Sequence, residues 1–277
     1  TSAYLITEDE RYAAHAVTHL EAWFVQSSTK MNPSLLYGQA IQGRYKGRSI
    51  GIIDTLHLAE VARSAKILCS SPSFPTSSQV GVRQWFQTYL TWINTHEYGI
   101  REKNHPNNHG VCWSLQAASF ADFVGEDEIL QWIREQFKSV YLQEMMDESG
   151  GFPAELARTK PYGYSLFVID AMAGVAQIVS TEADNLWEFQ LPDGRGMHRG
   201  MRFILPYIED KSAWPFPRDI MYWEEWPVRH PSLLFAGLHY GDRHYLNVWK
   251  NLEADPKTFE VKRNLPLRHP LLWVRDN

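Results

Sequence analysis

The chain has 277 residues and a formal net charge of -5. This charge excludes a general attraction to nucleic acid or to an anionic membrane surface, so the positive charge for an anionic ligand must be local. The 11 Trp, 13 Tyr and 13 Phe residues serve either a large core or a sugar-binding cleft. Cys69 and Cys112 match no metal-ligand spacing, and they are either two buried thiols or one disulfide.

Apolar residues recur at helical spacing along the chain, and alternating strand patterns are scarce. A helix is also predicted from Tyr164 to Ile178, and a late one from Pro231 to His239. No apolar run approaches the roughly 20 residues that a membrane-spanning helix needs. The four clearest apolar stripes are Ala13, Val17, Leu20 and Phe24; Leu58, Val61, Ala65 and Leu68; Val82, Phe86, Leu90 and Ile93; and Leu130, Ile133, Phe137 and Val140.

The helices follow one another in pairs, separated by turns rich in Pro, Gly and Ser. Pairs of this length are typical of a solenoid or of a closed helical toroid, and the lack of a sequence repeat favours the toroid. No change in composition marks a domain boundary. We therefore predict an all-α protein with one domain over residues 1–277, an (α/α) toroid of helix hairpins.

Polar residues crowd the start of one predicted helix, in the stretch NHPNNHG at residues 104–110. Asn favours helix starts because its side-chain oxygen accepts an unpaired backbone N–H. Capping needs only one such residue. The others form either a solvated loop or a binding site, and the alternative to a binding role for His109 is a second capping or packing residue.

The segment GGFPAELARTKPYGYSLF, residues 150–167, gathers Glu155, Arg158, Lys160, Tyr162 and Tyr164 at another helix start. A solvated turn has a similar composition. The combination nevertheless suits chemistry, because Arg binds carboxylates with a planar fork and Tyr transfers protons when nearby positive charge lowers its pKa.

Together the two segments supply the groups that β-elimination from a uronic acid requires. The reaction removes the proton on C5, next to a carboxylate, and expels the glycosidic oxygen on C4. The enzyme must neutralise the carboxylate and stabilise the enolate-like intermediate, a task suited to Asn, His and Arg. A base then takes the proton and an acid protonates the leaving oxygen, which His and Tyr can do.

These motifs resemble those of a known family. NNHGVCW resembles the Asn-His helix start of the helical-toroid alginate lyases, and ELARTKPYGYSLF resembles their Arg-Tyr segment. With GMHRGMRFILPYI and YWEEWPVRHPSLLFAG downstream, the chain is most similar to polysaccharide lyase family 38, which includes alginate and glucuronan lyases. The resemblance covers most of the chain. Because family members carry further helices before TSAYLITEDERYAAHA, we expect the N-terminal helices of the toroid to be lacking.

The resemblance implies a role for each residue of the site. Asn108 and Arg158 neutralise the substrate carboxylate, with His109 beside them. Tyr164 is the general acid, and also the base when both events occur on one face of the sugar. Tyr162 is a possible substitute for it and a candidate for substrate binding.

The resemblance also implies the surroundings of the reaction. The expected partner is an anionic polyuronate, with neither nucleic acid nor membrane as a second one. No cofactor and no metal are expected, because protein cations and amides can neutralise the carboxylate. We expect the protein to be periplasmic or secreted.

Further candidates for substrate binding lie outside these motifs. The stretch GRYKGRS offers two arginines that either hold neighbouring uronates or form an exposed basic turn. Downstream, two basic residues and a Trp-rich segment are suited to charge pairing and stacking, although core packing is the alternative for the tryptophans. The candidates are Arg44, Arg48, His198, Arg199, Trp223, Trp226 and Arg229.

Two other functions remain open on the sequence. One is a glycoside hydrolase on a related (α/α) toroid, which would act through two carboxylates. Its candidates are Glu97, Asp147, Glu155 and Glu224. The other is a glycan-binding protein without chemistry.

Overall fold

The computed structural model describes residues 1–274. Over these residues the structure is helical, with no β-strand beyond two isolated bridges. Short 3-10 helices lie at Ser49–Thr55, Lys211–Ala213 and Pro270–Leu272. The α-helices are α1 (Ser2–Thr7), α2 (Glu10–Phe24), α3 (Leu58–Leu68), α4 (Thr76–Thr95), α5 (Glu97–Lys103), α6 (Asn108–Val124), α7 (Asp127–Gln136), α8 (Pro153–Leu156), α9 (Pro161–Val179), α10 (Met197–Glu209), α11 (Pro231–His239), α12 (Arg243–Asn251) and α13 (Phe259–Arg263).

The chain divides into two compact units. Within the described residues, the first unit comprises residues 1–104, 113–130 and 269–274. The second comprises residues 105–112 and 131–268. Neither unit is one continuous stretch, which agrees with the lack of a composition break. The prediction of one domain over residues 1–277 stays a prediction.

The core of the first unit is built on the apolar stripes of α2 and α4. Rings of the two helices meet there, with the centroid of Phe24 lying 4.7 Å from that of Trp85 and 5.2 Å from that of Phe86. Burial of these faces stabilises the unit because each large side chain contributes about 1.5–3 kcal/mol when removed from water. The predicted stripe residues of both helices are all buried: Ala13, Val17, Leu20, Phe24, Val82, Phe86, Leu90 and Ile93.

The stripe predicted for α3 is wrong in half of its positions. Ala65 and Leu68 are buried as expected, whereas Leu58 and Val61 are only half-buried. The small residues Ala59 and Ala62 take their place in the interior. Small side chains let a helix approach its neighbours closely, and a stripe chosen by large apolar residues therefore misses this face.

The stripe predicted across α7 shifts in phase along its length. Ile133 is buried, but after α7 the chain continues as a π-helix over Phe137–Met145. A π-helix has more residues per turn than an α-helix, so Tyr141 and Leu142 are buried while Val140 is half-buried. The Tyr141 hydroxyl donates to the backbone oxygen of Gly110, 3.0 Å away.

The central helix of the second unit is α9, Pro161–Val179, which confirms and extends the predicted helix. Pro161 suits the first helical position because no N–H is needed there. Of its most apolar window, 89% is buried inside the protein. By length and composition alone, α9 also qualifies as a membrane-spanning helix, contrary to the expectation that no run would. A buried core helix meets the same criteria.

The late helix α11 has the predicted bounds, Pro231–His239. Its start is held by Asp170 of α9, whose Oδ1 accepts from Ser232 N at 3.1 Å and from Ser232 Oγ at 2.6 Å. Its Oδ2 lies 2.7 Å from His230 Nδ1. All three residues are completely buried. The carboxylate therefore ties α9 to α11 through buried hydrogen bonds.

The two cysteines are free thiols. Cys112 is buried in the first turns of α6, and Cys69 is half-buried directly after α3. The sequence left open either two thiols or one disulfide, and the structure contains two thiols.

Replacing Asp170 tests how strongly this carboxylate holds the second unit together. Asp170→Ala leaves the Ser232 N–H, the Ser232 hydroxyl and the His230 ring buried without their acceptor. We expect the free energy of unfolding to fall by about 3 kcal/mol or more, because each unpaired buried group costs about 1–3 kcal/mol. Urea unfolding measures the loss. Asp255→Ala, which removes only an exposed pair with Lys257, is the control and should leave the unfolding midpoint unchanged.

Candidate active site

The start of α6 is capped from two directions. Asn107 Oδ1 accepts from His109 N at 3.1 Å, which is the capping interaction that the sequence predicted. Glu155, on α8, supplies the second acceptor: its Oε1 accepts from Asn108 N at 2.7 Å. Its Oε2 accepts from Asn108 Nδ2, also at 2.7 Å. The carboxylate thus binds both the backbone and the side chain of one residue.

Glu155 is completely buried, and Asn108 is 1% exposed. Burial raises the pKa of Glu155 above its usual value, while the hydrogen bonds from Asn108 and the nearby charges of Arg158 and His109 act in the opposite direction. Glu155 is therefore the buried negative group around which three of the predicted catalytic residues are gathered.

His109 is half-buried and shares its surroundings with a second imidazole. The ring centroids of His105 and His109 are 5.0 Å apart, with 36° between the planes. His109 follows Asn108 in the first turn of α6, where the aligned peptide dipoles of the helix create a partial positive charge. This field favours an anionic ligand beside it.

Arg158 and Tyr164 lie together where the chain passes from α8 into α9. The Arg158 guanidinium carbon is 4.2 Å from the centroid of the Tyr164 ring, and Lys160 Nζ is 5.3 Å from the same centroid. Cations over an aromatic face are attracted by its negative potential. All three side chains are half-buried. The structure thus brings together the Arg-Tyr pair that the sequence predicted.

The start of α9 is capped by Asp219, a residue that the sequence did not reveal. Its Oδ1 and Oδ2 accept from Tyr162 N at 2.8 Å and from Gly163 N at 2.9 Å. A Cβ atom on Gly163 would lie 2.9 Å from Asp219 Oδ2, so the close approach requires glycine. Burial raises the pKa of Asp219, and the two hydrogen bonds and the charges of Lys160 and Lys211 partly offset it.

Two of the predicted substrate contacts lie in the interior, and their assignment is corrected. Tyr162 is completely buried, and its hydroxyl donates to Tyr207 O at 2.9 Å. Burial also raises the pKa of this phenol. Trp226 is 4% exposed and stacks on His230, with ring centroids 5.6 Å apart. The Tyr162 hydroxyl is used by a backbone carbonyl and the Trp226 ring by His230, so core packing accounts for both side chains.

The assignment of Arg229 to substrate binding is also corrected, because its guanidinium binds backbone carbonyl groups at the end of a helix. Nη2 donates to Lys250 O at 2.8 Å and Nε to Leu252 O at 3.1 Å. The guanidinium carbon lies 4.9 Å from the Trp249 ring centroid. These contacts satisfy carbonyl groups at the end of α12. Arg229 is thus a structural residue of the second unit.

Substrate binding by Trp223 stays a prediction. It is half-buried, with Lys211 Nζ at 4.9 Å and the guanidinium carbon of Arg218 at 5.3 Å from its ring centroid. An indole beside two cations suits stacking on a sugar that carries a carboxylate.

His198 and Arg199 line an open cleft of about 450 Å³. Arg199 Nη1 donates to Glu148 O at 2.7 Å, and the His198 ring lies edge-on to Tyr240 with centroids 4.9 Å apart. Within the described residues, the lining contains none of the four predicted catalytic residues. Substrate binding by His198 and Arg199 stays a prediction. The cleft is lined by Glu148, Ser149, Gln190, Gly194, His198, Arg199, Arg202 and Phe203.

Arg44 and Arg48 belong to the first unit. Arg44 is exposed, and Arg48 donates from Nε to Gln39 O at 3.0 Å. The guanidinium of Arg48 also lies 5.7 Å from the Tyr45 ring centroid. Arg48 is thus partly used in holding its own loop, and uronate binding by the two arginines stays a prediction.

The acids proposed for hydrolysis are engaged separately. Glu97 pairs with Arg101 at 3.3 Å, and Asp147 Oδ1 accepts from two backbone N–H groups of its own turn. The Glu224 side chain is 84% exposed, and Glu155 is bound to Asn108. Across residues 1–274, no three His, Cys, Asp or Glu side chains are grouped to hold a metal ion.

The sequence profile of the alginate lyase family matches residues 1–214, and the chain therefore belongs to that family. This membership, together with the helical fold, defines an enzyme of the polysaccharide lyase class. No curated protein sequence gives a significant match. The more specific resemblance to polysaccharide lyase family 38 stays a prediction.

Solved alginate lyases share the fold. An alginate lyase from Bacteroides ovatus superimposes with a TM-score of 0.82 at 28% identity, over 96% of this chain and 71% of its own. Alginate lyase A1-III from Sphingomonas species A1 gives 0.61 at 16% identity, over 86% of this chain and 64% of its own. A Tyr-to-Phe variant of A1-III complexed with a tetrasaccharide gives a TM-score of 0.66 at 15% identity, over 100% of this chain and 74% of its own. The predicted all-α fold of the toroidal alginate lyases is confirmed.

The raised pKa of Glu155 predicts a pH-dependent contribution to stability. Between the unfolded pKa, about 4.3, and the higher folded value, the folded state binds the proton more tightly than the unfolded chain. Rising pH therefore removes stability within this window and has no further effect above it. Glu155→Gln cannot titrate. We expect the free energy of unfolding of the wild type to fall relative to this variant as pH rises through the window, as measured by urea unfolding at several pH values. Parallel curves would contradict the assignment.

Proposed function

We propose that the enzyme cleaves a 1,4-linked polyuronate by β-elimination, with alginate as the first substrate to test and glucuronan as the second. One observation carries the proposal. Arg158 lies over the ring of Tyr164, and Asn108 and His109 occupy the adjoining helix start around Glu155. A carboxylate-binding cation, a phenol, an amide and an imidazole thus belong to a single cluster in the second unit.

The first step is neutralisation of the uronate carboxylate at C6. The proton on C5 is weakly acidic while this carboxylate is charged, because its removal would place a second negative charge beside the first. The Arg158 guanidinium and the Asn108 amide supply hydrogen bonds to the carboxylate, and they become stronger as the enolate-like intermediate develops. The start of α6 adds its partial positive charge.

The second step is proton transfer by Tyr164. In mannuronate and glucuronate the C5 proton and the C4 oxygen lie on the same face of the ring. One phenolic oxygen can therefore accept the first proton and return it to the leaving oxygen, with the C4–O bond breaking and a C4–C5 double bond forming. In guluronate the two groups lie on opposite faces, and we assign the base for that substrate to His109.

The relatives favour an acidic polysaccharide as substrate. The Bacteroides ovatus protein is an alginate lyase, and a variant of A1-III forms a complex with a tetrasaccharide. The chain spans 71% and 64% of the lengths of the first two solved relatives, so the preferred uronate is a proposal for this chain. Export to the periplasm or medium would give the enzyme access to such polymers and is also a proposal.

Replacing Tyr164 by Phe tests the acid-base assignment. The change removes one hydroxyl from a half-buried ring, so stability should change by only about 1 kcal/mol. Turnover should fall by roughly 10⁴-fold, the upper end for a general acid-base group, because one residue performs both transfers. The ultraviolet absorbance of the conjugated C4–C5 double bond measures turnover. Oligouronate affinity, measured on the same preparation, should be retained.

Tyr162→Phe is the matched control. It also removes a single phenolic hydroxyl, but the one that donates to Tyr207 O in the interior. We expect a modest loss of stability and unchanged turnover. If the control loses activity and Tyr164→Phe keeps it, the acid-base role belongs to Tyr162. If both variants remain active, elimination through this cluster is wrong and a glycan-binding function takes precedence.

Replacing Arg158 by Ala tests the neutralisation step. The guanidinium interacts with the substrate carboxylate mainly in the transition state, so kcat should fall by at least roughly 10²-fold while the protein stays folded. Arg229→Ala is the control, because that guanidinium holds the end of α12. The control should lose stability and keep kcat. Near wild-type turnover in Arg158→Ala would remove Arg158 from the mechanism.

A further inference from the structure

The mechanism leaves one buried ionisable group of the site without a role. Glu155 is completely buried, and both of its oxygens are occupied by Asn108. We propose that Glu155 is a positioning residue, which holds the Asn108 amide in the one orientation that presents an N–H to the substrate carboxylate. The inference rests on the proposed function of Asn108.

The geometry of the pair fixes the amide. An ionised carboxylate only accepts hydrogen bonds, so the NH₂ end of Asn108, and not its carbonyl oxygen, must face Glu155. The bond from Asn108 N to the other carboxylate oxygen fixes the position of Glu155 relative to the backbone. With both ends held, the side chain cannot flip. The amide has one N–H on Glu155 and a second N–H left to donate.

The charge of Glu155 matters for the same reason. A protonated carboxyl or an amide at this position would place a donor against one of the two N–H groups of Asn108. Arg158 and His109 lie near enough for their positive charge to favour the ionised form, against the effect of burial. The positive groups that serve the substrate thus also act in favour of the charged form of the positioning group.

A capping role alone does not account for these contacts. Capping of α6 needs an acceptor for the backbone N–H of Asn108, and Glu155 Oε1 provides it. The second bond, from the Asn108 side chain to Oε2, satisfies no backbone group. It acts only on the orientation of the amide. If Glu155 is only a cap, its replacement affects stability. If it is a positioning residue, its replacement lowers catalysis, and it does so through Asn108.

A double-mutant cycle separates the two roles. The variants are Glu155→Gln, Asn108→Ala and the combination, each measured for kcat and KM on polymannuronate and glucuronan and for thermal unfolding. Glu155→Gln should lower kcat by roughly 10- to 100-fold with a smaller change in KM, because the amide is no longer oriented. In the Asn108→Ala background the same change should have almost no further effect on kcat.

The control is Asp170→Asn, which alters another completely buried carboxylate of the second unit. It should lower the unfolding temperature and leave kcat unchanged. Equal losses of kcat from Glu155→Gln with and without Asn108 would overturn the positioning role. Full activity of Asn108→Ala alone would instead contradict the proposed function of Asn108, so the two failures are distinguishable.

A second variant covers the case in which Glu155→Gln does not fold. The pair Asn108→Asp with Glu155→Gln exchanges the acid and the amide, so the same two hydrogen bonds form with the side-chain donor and acceptor reversed. We expect this protein to fold and to be inactive, because a carboxylate now faces the substrate carboxylate. Wild-type turnover in the folded pair would overturn the inference.

Discussion

The second unit depends on hydrogen bonds from backbone N–H groups at helix starts to buried carboxylates. The first turn of a helix leaves N–H groups without partners, and in the interior no water replaces them. Glu155 accepts at α6, Asp219 at α9 and Asp170 at α11. In each case the acid comes from a different part of the chain than the helix it caps. The caps therefore fix tertiary structure as well as helix ends.

Local positive charge reconciles an acidic protein with an acidic polymer as its proposed substrate. The overall charge of -5 opposes binding at long range, but solvent ions screen that field over about 10 Å. Around the start of α9, Arg158 and Lys160 lie over the ring of Tyr164. The carboxylates of Glu155 and Asp219 are buried, so a polyuronate bound at the proposed site would meet mainly the cations. The local arrangement of charge, and not its sum, would then set the preference.

The sequence predicted those features that local patterns encode. Helical periodicity identified α4, α9 and α11, and the two polar motifs identified the residues around Asn108 and Tyr164. The resemblance already favoured Tyr164 over Tyr162, and the structure adds a simple reason why the two rings differ in burial. Side chains that are two residues apart on an α-helix point in directions about 200° apart around the helix axis. Only one of the two rings can therefore face away from the core.

Other features could not be predicted because their cause lies far along the chain. The carboxylate of Asp219 reaches α9 through tertiary folding, and no local pattern links them. The same holds for Glu260, which accepts from Lys160 Nζ at 2.6 Å. The π-helix at Phe137–Met145 changes the number of residues per turn, and a search at a fixed period cannot follow it.

The burial of Cys112 provides a natural reporter for the motion of this site. The thiol lies one helical turn after Asn108 on α6 and is completely buried. A thiol-specific reagent can reach it only when the first turns of α6 open, so its rate of modification measures the free energy of that local opening. With Cys69 replaced, the chain carries a single such probe. Ligands that order the start of α6 would then be detected by slower labelling, without any measurement of turnover.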